Sequence, residues 1–420
     1  MYKETKEIVK NTFYLYLVQG LNYLLPLLVL PYLIKTLSVE SFGIFSFAFA
    51  FSQFILLFVD FGFNISATKK IAENNSNSFF IKDVFWIVIS LKAILCIISL
   101  LITVIIILVI PKISIYADAI IWSFLMVVGT VFFPVWWFQG MNKMREMSLI
   151  NAASKILSYP MIFLFVKKSN DYNIAIIIQS LSFVYASLFA LLYIWRTHNF
   201  YFYKKRFFYP KQTYFNEMRD SVGIFLSNSS ISLYTNSLTI FLGIFSNNYN
   251  VGLFGAMERI VRVICFGVLG PINQACFPVI IQMKKFNFSK AKLTFRYIIL
   301  VTLILMTLAY LIYYLFQSWL INRFFIDYTG IEGMLNVFML MIFPIALGGI
   351  LGNLGLLGLG GDREKRVFSK VYIWVGFISV PVSIFAIKCF ELKGAIIAML
   401  FVEFTIFILM LVINLKRRFI

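Results

Sequence analysis

Apolar residues run in long, nearly unbroken stretches along this chain, and polar residues gather in the gaps between them. Twelve stretches stand out, near 11–33, 40–62, 83–109, 117–138, 148–166, 173–195, 221–245, 251–281, 294–318, 334–359, 369–388 and 392–415. A helix that crosses a bilayer needs about 20 mostly apolar residues. The pattern therefore predicts an all-α membrane protein of twelve spans, with no room for a soluble domain. The first run is too long for a cleavable signal peptide. It carries Asn22, Pro26 and Pro31 and has no clear small-residue cleavage site, so it reads as the first span.

The longest polar stretch, 196–220, falls at the middle of the chain and divides it into two sets of six spans, 1–195 and 221–420. A shift of 209 residues gives a weak internal match. Phe42-Gly43-Ile44-Phe45 falls on Val251-Gly252-Leu253-Phe254, Asn64 on Asn273, and Gln19 on Asn228. Six is an even number, so the halves face the same way, as in a parallel repeat about an axis along the membrane normal. Two such bundles around one axis would enclose a central cavity.

Composition fits the same class. Only 13% of residues are charged and 61% are hydrophobic, with a mean hydropathy of +0.89, where soluble domains carry about a quarter charged residues. The net charge of +19 has a membrane explanation. With the N-terminus in the cytoplasm and alternating loops, the inner side collects most of the Lys and Arg. Lys3, Lys6, Lys10, Lys204, Lys205, Arg206, Lys284, Lys285, Arg363, Arg417 and Arg418 are among them. The outer side keeps only Lys35, Lys112, Lys167, Lys168, Arg323, Lys388 and Lys393. That bias places both termini in the cytoplasm. The basic loops are short and dispersed, which argues for anionic lipid and against nucleic acid. The tryptophans fall near predicted span ends, as an interfacial belt does. His198 is the only histidine, and Cys96, Cys265, Cys276 and Cys389 have no metal-ligand spacing. A metal site or a Ser-His-Asp triad is thereby disfavoured, and no cofactor is implied.

Polar groups at membrane depth are the candidate chemistry. The seventh span carries Asn228, Ser232, Thr235 and Thr239 on one helix face, and the first carries Tyr16, Gln19 and Tyr23. Such a face lines a polar cavity or joins helices by hydrogen bonds. The eighth span holds Glu258, Arg259 and Arg262. Charges at depth are costly and usually face a bundle interior or water. Glu258 and Arg262, four apart, can form a structural pair. Alternatively Arg259 and Arg262 hold phosphate oxygens, for which the guanidinium fork is suited. Asp60 and Glu403 are candidates for ion coupling. Pairing with Lys69 or Lys70 is the structural alternative for Asp60, and a neutral hydrogen-bonded acid is that for Glu403. Lys92 and Lys155 read as snorkelling to the interface. The glycines from Gly348 to Gly361 lack the GK[ST] ending of a phosphate loop and indicate close helix packing or a bend. No paired carboxylates stand in an outer loop, so an enzyme is disfavoured.

Several motifs resemble a known family. Leu24-Leu25-Pro26, Pro31-Tyr32-Leu33, Phe42-Gly43, the run from Asp60 to Thr68, Trp136-Trp137-Phe138-Gln139-Gly140 and Asp171-Tyr172 are similar to Wzx-type O-antigen flippases. These belong to the multidrug/oligosaccharidyl-lipid/polysaccharide exporter superfamily. The resemblance runs to the last span and is specific in the first 175 residues. It implies a V-shaped pair of six-helix bundles whose cavity is lined by spans 1, 2, 7 and 8. Related lipid II flippases carry arginines in the first two spans, where this chain has Gln19, Asn22 and Gln53 instead. The implied substrate is an undecaprenyl-pyrophosphate-linked oligosaccharide, moved across the bacterial inner membrane for lipopolysaccharide synthesis. An O-antigen polymerase and a chain-length regulator are the implied partners. A drug or cation antiporter on the same fold is the alternative. It would want an acidic cavity.

Overall fold

The structure, a computed structural model, describes residues 25, 28–74, 76–197, 209–325 and 331–420; within these, the side chains of 227, 228, 231, 274, 275, 278 and 324 are left out. Gln19 and Asn22, most of the first predicted span, and 198–208 of the expected linker lie outside the described residues.

Helix α1, Val39–Asp60, starts where the Ser38 hydroxyl accepts from the Ser41 amide at 3.2 Å, with Glu40 in the first turn. That arrangement satisfies an orphan N–H and complements the helix dipole. It ends because Phe61 and Gly62 both take left-handed backbone, with φ of 42° and 82°. The chain then resumes as α2, Phe63–Glu73. Next come α3, Ser78–Val109; the short α4, Pro111–Ser114; α5, Ala117–Phe132; α6, Val135–Gly140; α7, Met144–Phe165; and α8, Tyr172–Thr197. Helix α9, Lys211–Phe245, is followed by α10, Asn248–Phe286, α11, Phe288–Phe324, α12, Ile331–Met339, and α13, Ile342–Ile350. A π-helix, Leu351–Leu359, leads into α14, Asp362–Lys416. Among the described residues there is no strand.

Eight helical segments among the described residues are long and apolar enough to cross a membrane, and Ser232–Phe245 is a shorter apolar helix. The count covers the described residues, which leave out most of the first expected span and several side chains of the seventh and eighth. The 55-residue α14 covers two expected spans, 369–388 and 392–415, which join at Glu391, where φ of 48° breaks the helix. The Glu391 carboxylate there accepts from Asn250 Nδ2 at 2.7 Å and from the Ser246 hydroxyl at 3.1 Å.

The chain divides into two compact units, Met1–Ser229 and Ser230–Ile420, with the division inside α9. In the first, α5 packs on α1 and α8, and α7 packs on α8. Phe63, Phe85, Trp136, Trp137 and Phe138 form part of its core. In the second, α10 packs on α11 and the π-helix, and α14 packs on α13 and the π-helix. Both units are inside-out by soluble standards. Ile97, Leu101, Ile105 and Leu108 of α3, and Leu300, Ile304, Leu308, Leu311 and Leu315 of α11, are exposed. Ser52 and Ser123 are buried and hydrogen-bonded at 2.7 Å. This distribution suits hydrocarbon surroundings, where internal polar groups must find internal partners.

The Asp60–Phe63 break is fixed by packing against α9. A Cβ on Gly62 would meet Ile224 Cβ and the Ser221 carbonyl at 2.9 Å. Gly62→Ala therefore combines this overlap with a left-handed backbone that costs an L-residue about 1–2 kcal/mol. A lower melting temperature of the purified protein is expected, and an unchanged one would mean that the break tolerates a side chain.

Candidate functional site

A part-buried charged region of the second unit is built from α10, α9 and α14. Helix α10 is capped by Asn247, whose side chain accepts from the Asn250 amide at 2.9 Å. That fixes where its third turn begins to present Glu258, Arg259 and Arg262. Arg262 Nε and Nη2 both donate to Glu258 Oε1, at 2.8 and 2.6 Å. Thr239 of α9 donates to the other carboxylate oxygen at 3.4 Å. The Arg262 side chain is 26% exposed and that of Glu258 only 12%. A guanidinium has five N–H donors, so two are spent on Glu258 and three have no acceptor among the described residues.

Glu403, buried on α14, lies within electrostatic reach of both Arg262 and Glu258. Tyr234 of α9, stacked on Tyr372 of α14 at 6.4 Å, is within reach of Glu403 and Arg262. The sequence treats Glu403 separately from Glu258 and Arg262; the fold brings the three into one cluster. Two carboxylates and the Arg262 guanidinium, with Arg259 on the same turn, thus fall in one region of the unit, and among the described residues only Glu258 is ion-paired with Arg262.

The polar face of α9 is only partly a free wall. Ser232 is buried and accepts from Asn236 Nδ2 at 2.9 Å. Thr239 is buried on Glu258, and Thr235 is partly exposed. The Asn228 side chain lies outside what is described. Gln53 of α1 is exposed, with its amide 3.9 Å from the Met126 sulfur.

The first unit has a second buried charge cluster, which corrects two sequence expectations. Lys92 does not snorkel; it is 1% exposed and pairs with Asp60. Asp60 does not pair with Lys69 or Lys70. Lys69 faces Glu73 at 3.9 Å, and Lys70 bridges Glu217 and Asp220 at 2.8 and 2.7 Å. The break at Phe61–Gly62 turns Asn64 back onto Asp60, to which its amide donates, and Lys92 Nζ lies 3.4 Å from Asn64 Oδ1. The ammonium also stands 4.6 Å from the Trp136 ring centroid, a cation–π contact strengthened by desolvation. The available signal was depth: Lys92 lies well inside the 83–109 apolar run, so its counter-charge had to be sought on another span.

Two of the family-like motifs have structural contacts. Trp136, Trp137 and Phe138 are fully buried. Asp171, in the turn between α7 and α8, accepts from the Lys168 amide at 2.8 Å and the Lys167 amide at 2.9 Å. Those two bonds hold its pKa below the usual carboxylate value. In the glycine run, Asn414 is buried and donates to the Leu351 carbonyl at 3.1 Å, pinning the π-helix onto α14. This is helix packing and carries no nucleotide loop. Among the described residues no group of His, Cys, Asp and Glu could hold a metal ion.

The family model described as polysaccharide biosynthesis protein matches residues 8–284. Two relatives are both named "Putative O-antigen transporter". That of Escherichia coli (strain K12) is 33% identical over 96% of this chain and 95% of its own. That of Shigella dysenteriae is 26% identical over 96% of this chain and 98% of its own. Among solved structures, an inward-facing multidrug resistance MATE family transporter of the MOP superfamily superposes with a TM-score of 0.72. It does so at 18% identity, over 95% of this chain and 94% of that one.

Proposed function

The chain belongs to the polysaccharide biosynthesis protein family, and we propose that it is a flippase for a lipid-linked polysaccharide repeat unit. It has the MATE-like fold and is a multi-pass membrane transporter. The substrate is an undecaprenyl-pyrophosphate-linked O-antigen unit, carried from the cytoplasmic to the periplasmic leaflet of the inner membrane. The halves 1–195 and 221–420, joined by the basic linker 196–220, alternate access to the two sides, with both termini cytoplasmic. The O-antigen polymerase and chain-length regulator act next on the product.

The observation that carries this reading is the part-buried Arg262 guanidinium, with donors left over after Glu258 is satisfied. Pyrophosphate loses hydration when it leaves the membrane surface, and a charge-assisted fork of N–H donors offsets that loss. Arg262 and Arg259 hold the phosphates. Gln19, Asn22, Gln53, Asn228, Ser232 and Thr235 are the candidate sugar contacts by residue type, and the polyprenyl tail stays in the bilayer. Moving each negative charge outward, away from the negative inner side, gains about 2.3 kcal/mol per 100 mV, so the potential contributes to export. Asp60 and Glu403 are the residues through which an ion would couple.

The test uses a deletion strain that still makes the first lipid-linked sugar. Loss of surface polysaccharide, with complete repeat units held in the cytoplasmic leaflet, is the expected result. The second reading, a drug or cation antiporter, is favoured by the buried carboxylate Glu403. Normal surface polysaccharide with no trapped unit, in a strain lacking any second flippase, and with new drug sensitivity, would make it the better one.

A further inference from the structure

The turn between α10 and α11 carries an amphipathic recess that the transport reading does not use. It has a volume of about 400 Å³ and is lined by Val279, Gln282, Met283, Phe286, Asn287 and Lys290. Its chemistry is divided. Val279, Met283 and Phe286 are apolar, and Phe286 is 84% exposed. Lys290 is also exposed and forms no ion pair among the described residues.

Position gives the recess its meaning. Lys290 stands in the first turn of the apolar span Phe288–Arg323, and Phe286 ends the preceding helix. The recess therefore lies where hydrocarbon meets the polar surface. An exposed phenylalanine there is stable only against lipid, and an exposed lysine there reaches headgroup depth. The local chain is of one sign: residues 259–326 contain no Asp or Glu, while Lys284, Lys285, Lys290, Lys292 and Arg296 gather around this turn; the acids beside Gly360 are already paired, Glu364 with Arg417 at 3.2 Å and Asp362 with Lys365 at 3.1 Å. Two of the lysines at the turn are engaged by the protein, Lys284 with the Gly360 carbonyl at 2.5 Å and Lys292 with the Arg418 carbonyl at 3.0 Å. Neither is neutralised, because a carbonyl carries no net charge. Asn287 caps α11 by accepting from the Lys290 amide at 2.9 Å, so the positive end of a long helix dipole opens on the same place.

We propose that this recess binds one anionic phospholipid of the bilayer. An acyl chain lies along Val279, Met283 and Phe286, and the phosphate meets Lys290, with Lys285 adding to the field. The occupant is a lipid because the site pairs its cation with an apolar floor, which a free phosphate ion would leave exposed. The assignment does not rest on the transport reading.

The test takes the purified full-length protein in detergent. Phosphatidylglycerol, phosphatidylcholine with the same chains, and inorganic phosphate are titrated in separate arms, with bound lipid counted by native mass spectrometry. Phosphatidylglycerol is expected to bind preferentially. Lys290→Glu should weaken it roughly tenfold or more, since one lysine is removed and one repulsive charge added. Lys290→Ala should weaken it less, and Lys112→Glu, distant in sequence, should leave it unchanged. Among the described residues the Lys290 side chain has no protein partner to lose, so both variants should fold. Equal retention of the two lipids, undiminished phosphatidylglycerol binding by Lys290→Glu, or displacement by inorganic phosphate at the same concentration would each overturn the assignment.

Discussion

Asp60→Leu is expected to destabilise the protein by about 3 kcal/mol, because it leaves the Lys92 ammonium buried without its counter-charge. Lys92 is 1% exposed, so water cannot replace the carboxylate. The Trp136 face at 4.6 Å compensates only in part. Lys92→Met should be milder, since Asp60 is 30% exposed and retains the Asn64 amide. The double variant Asp60→Leu/Lys92→Met removes both charges and should recover most of the loss, as replacement of a whole buried pair often does. Melting temperatures of the four proteins in one detergent check this.

The same cycle bears on coupling. If Asp60 only pairs with Lys92, the double variant should be both stable and export-competent. If Asp60 carries a transported ion, the double variant should be stable and inactive. Full stability of Asp60→Leu alone would show that Lys92 is content without it, and would remove the structural reading altogether.

What the sequence made legible follows from what kind of signal each feature leaves. Apolar length identifies spans such as α3 and α11, because lipid-facing residues must be apolar whatever they pack against. The MATE-like fold follows from that pattern together with the family motifs. The break at Asp60–Phe63 left a weaker trace. Gly62 can adopt φ of 82°, but so could any loop glycine, and the pressure to break comes from Ser221 and Ile224 of α9. Lys92 was misplaced for a related reason. Snorkelling is decided by distance to the interface and by whether a partner is nearer, and that partner is 32 positions away. The Glu258–Arg262 pair was readable because four residues on a helix is a contact distance. Its meeting with Glu403 was not, since α10 and α14 approach only in the folded unit. Gln19 and Asn22 lie outside the described residues, so the polar face of the first span stands on sequence alone.

Arg262→Ala is expected to reduce export about a hundredfold, the equivalent of about 3 kcal/mol for truncating one partner of a part-buried, hydrogen-bonded charge pair. Two causes would give that result. Arg262 could be a phosphate ligand, or its loss could leave Glu258 and Glu403 as like charges with less to hold them. Glu258→Ala/Arg262→Ala separates them, because it removes one carboxylate with the guanidinium and restores the charge balance. Recovery of protein level without recovery of export would assign Arg262 to the substrate. Arg262→Lys adds the geometric arm, keeping the charge but not the fork, and should retain folding while losing most export. Recovery of both level and export in the double variant would make Arg262 a counter-ion only, and the phosphates would then need another cation. Arg259, on the same turn of α10, is the residue on which that search would begin.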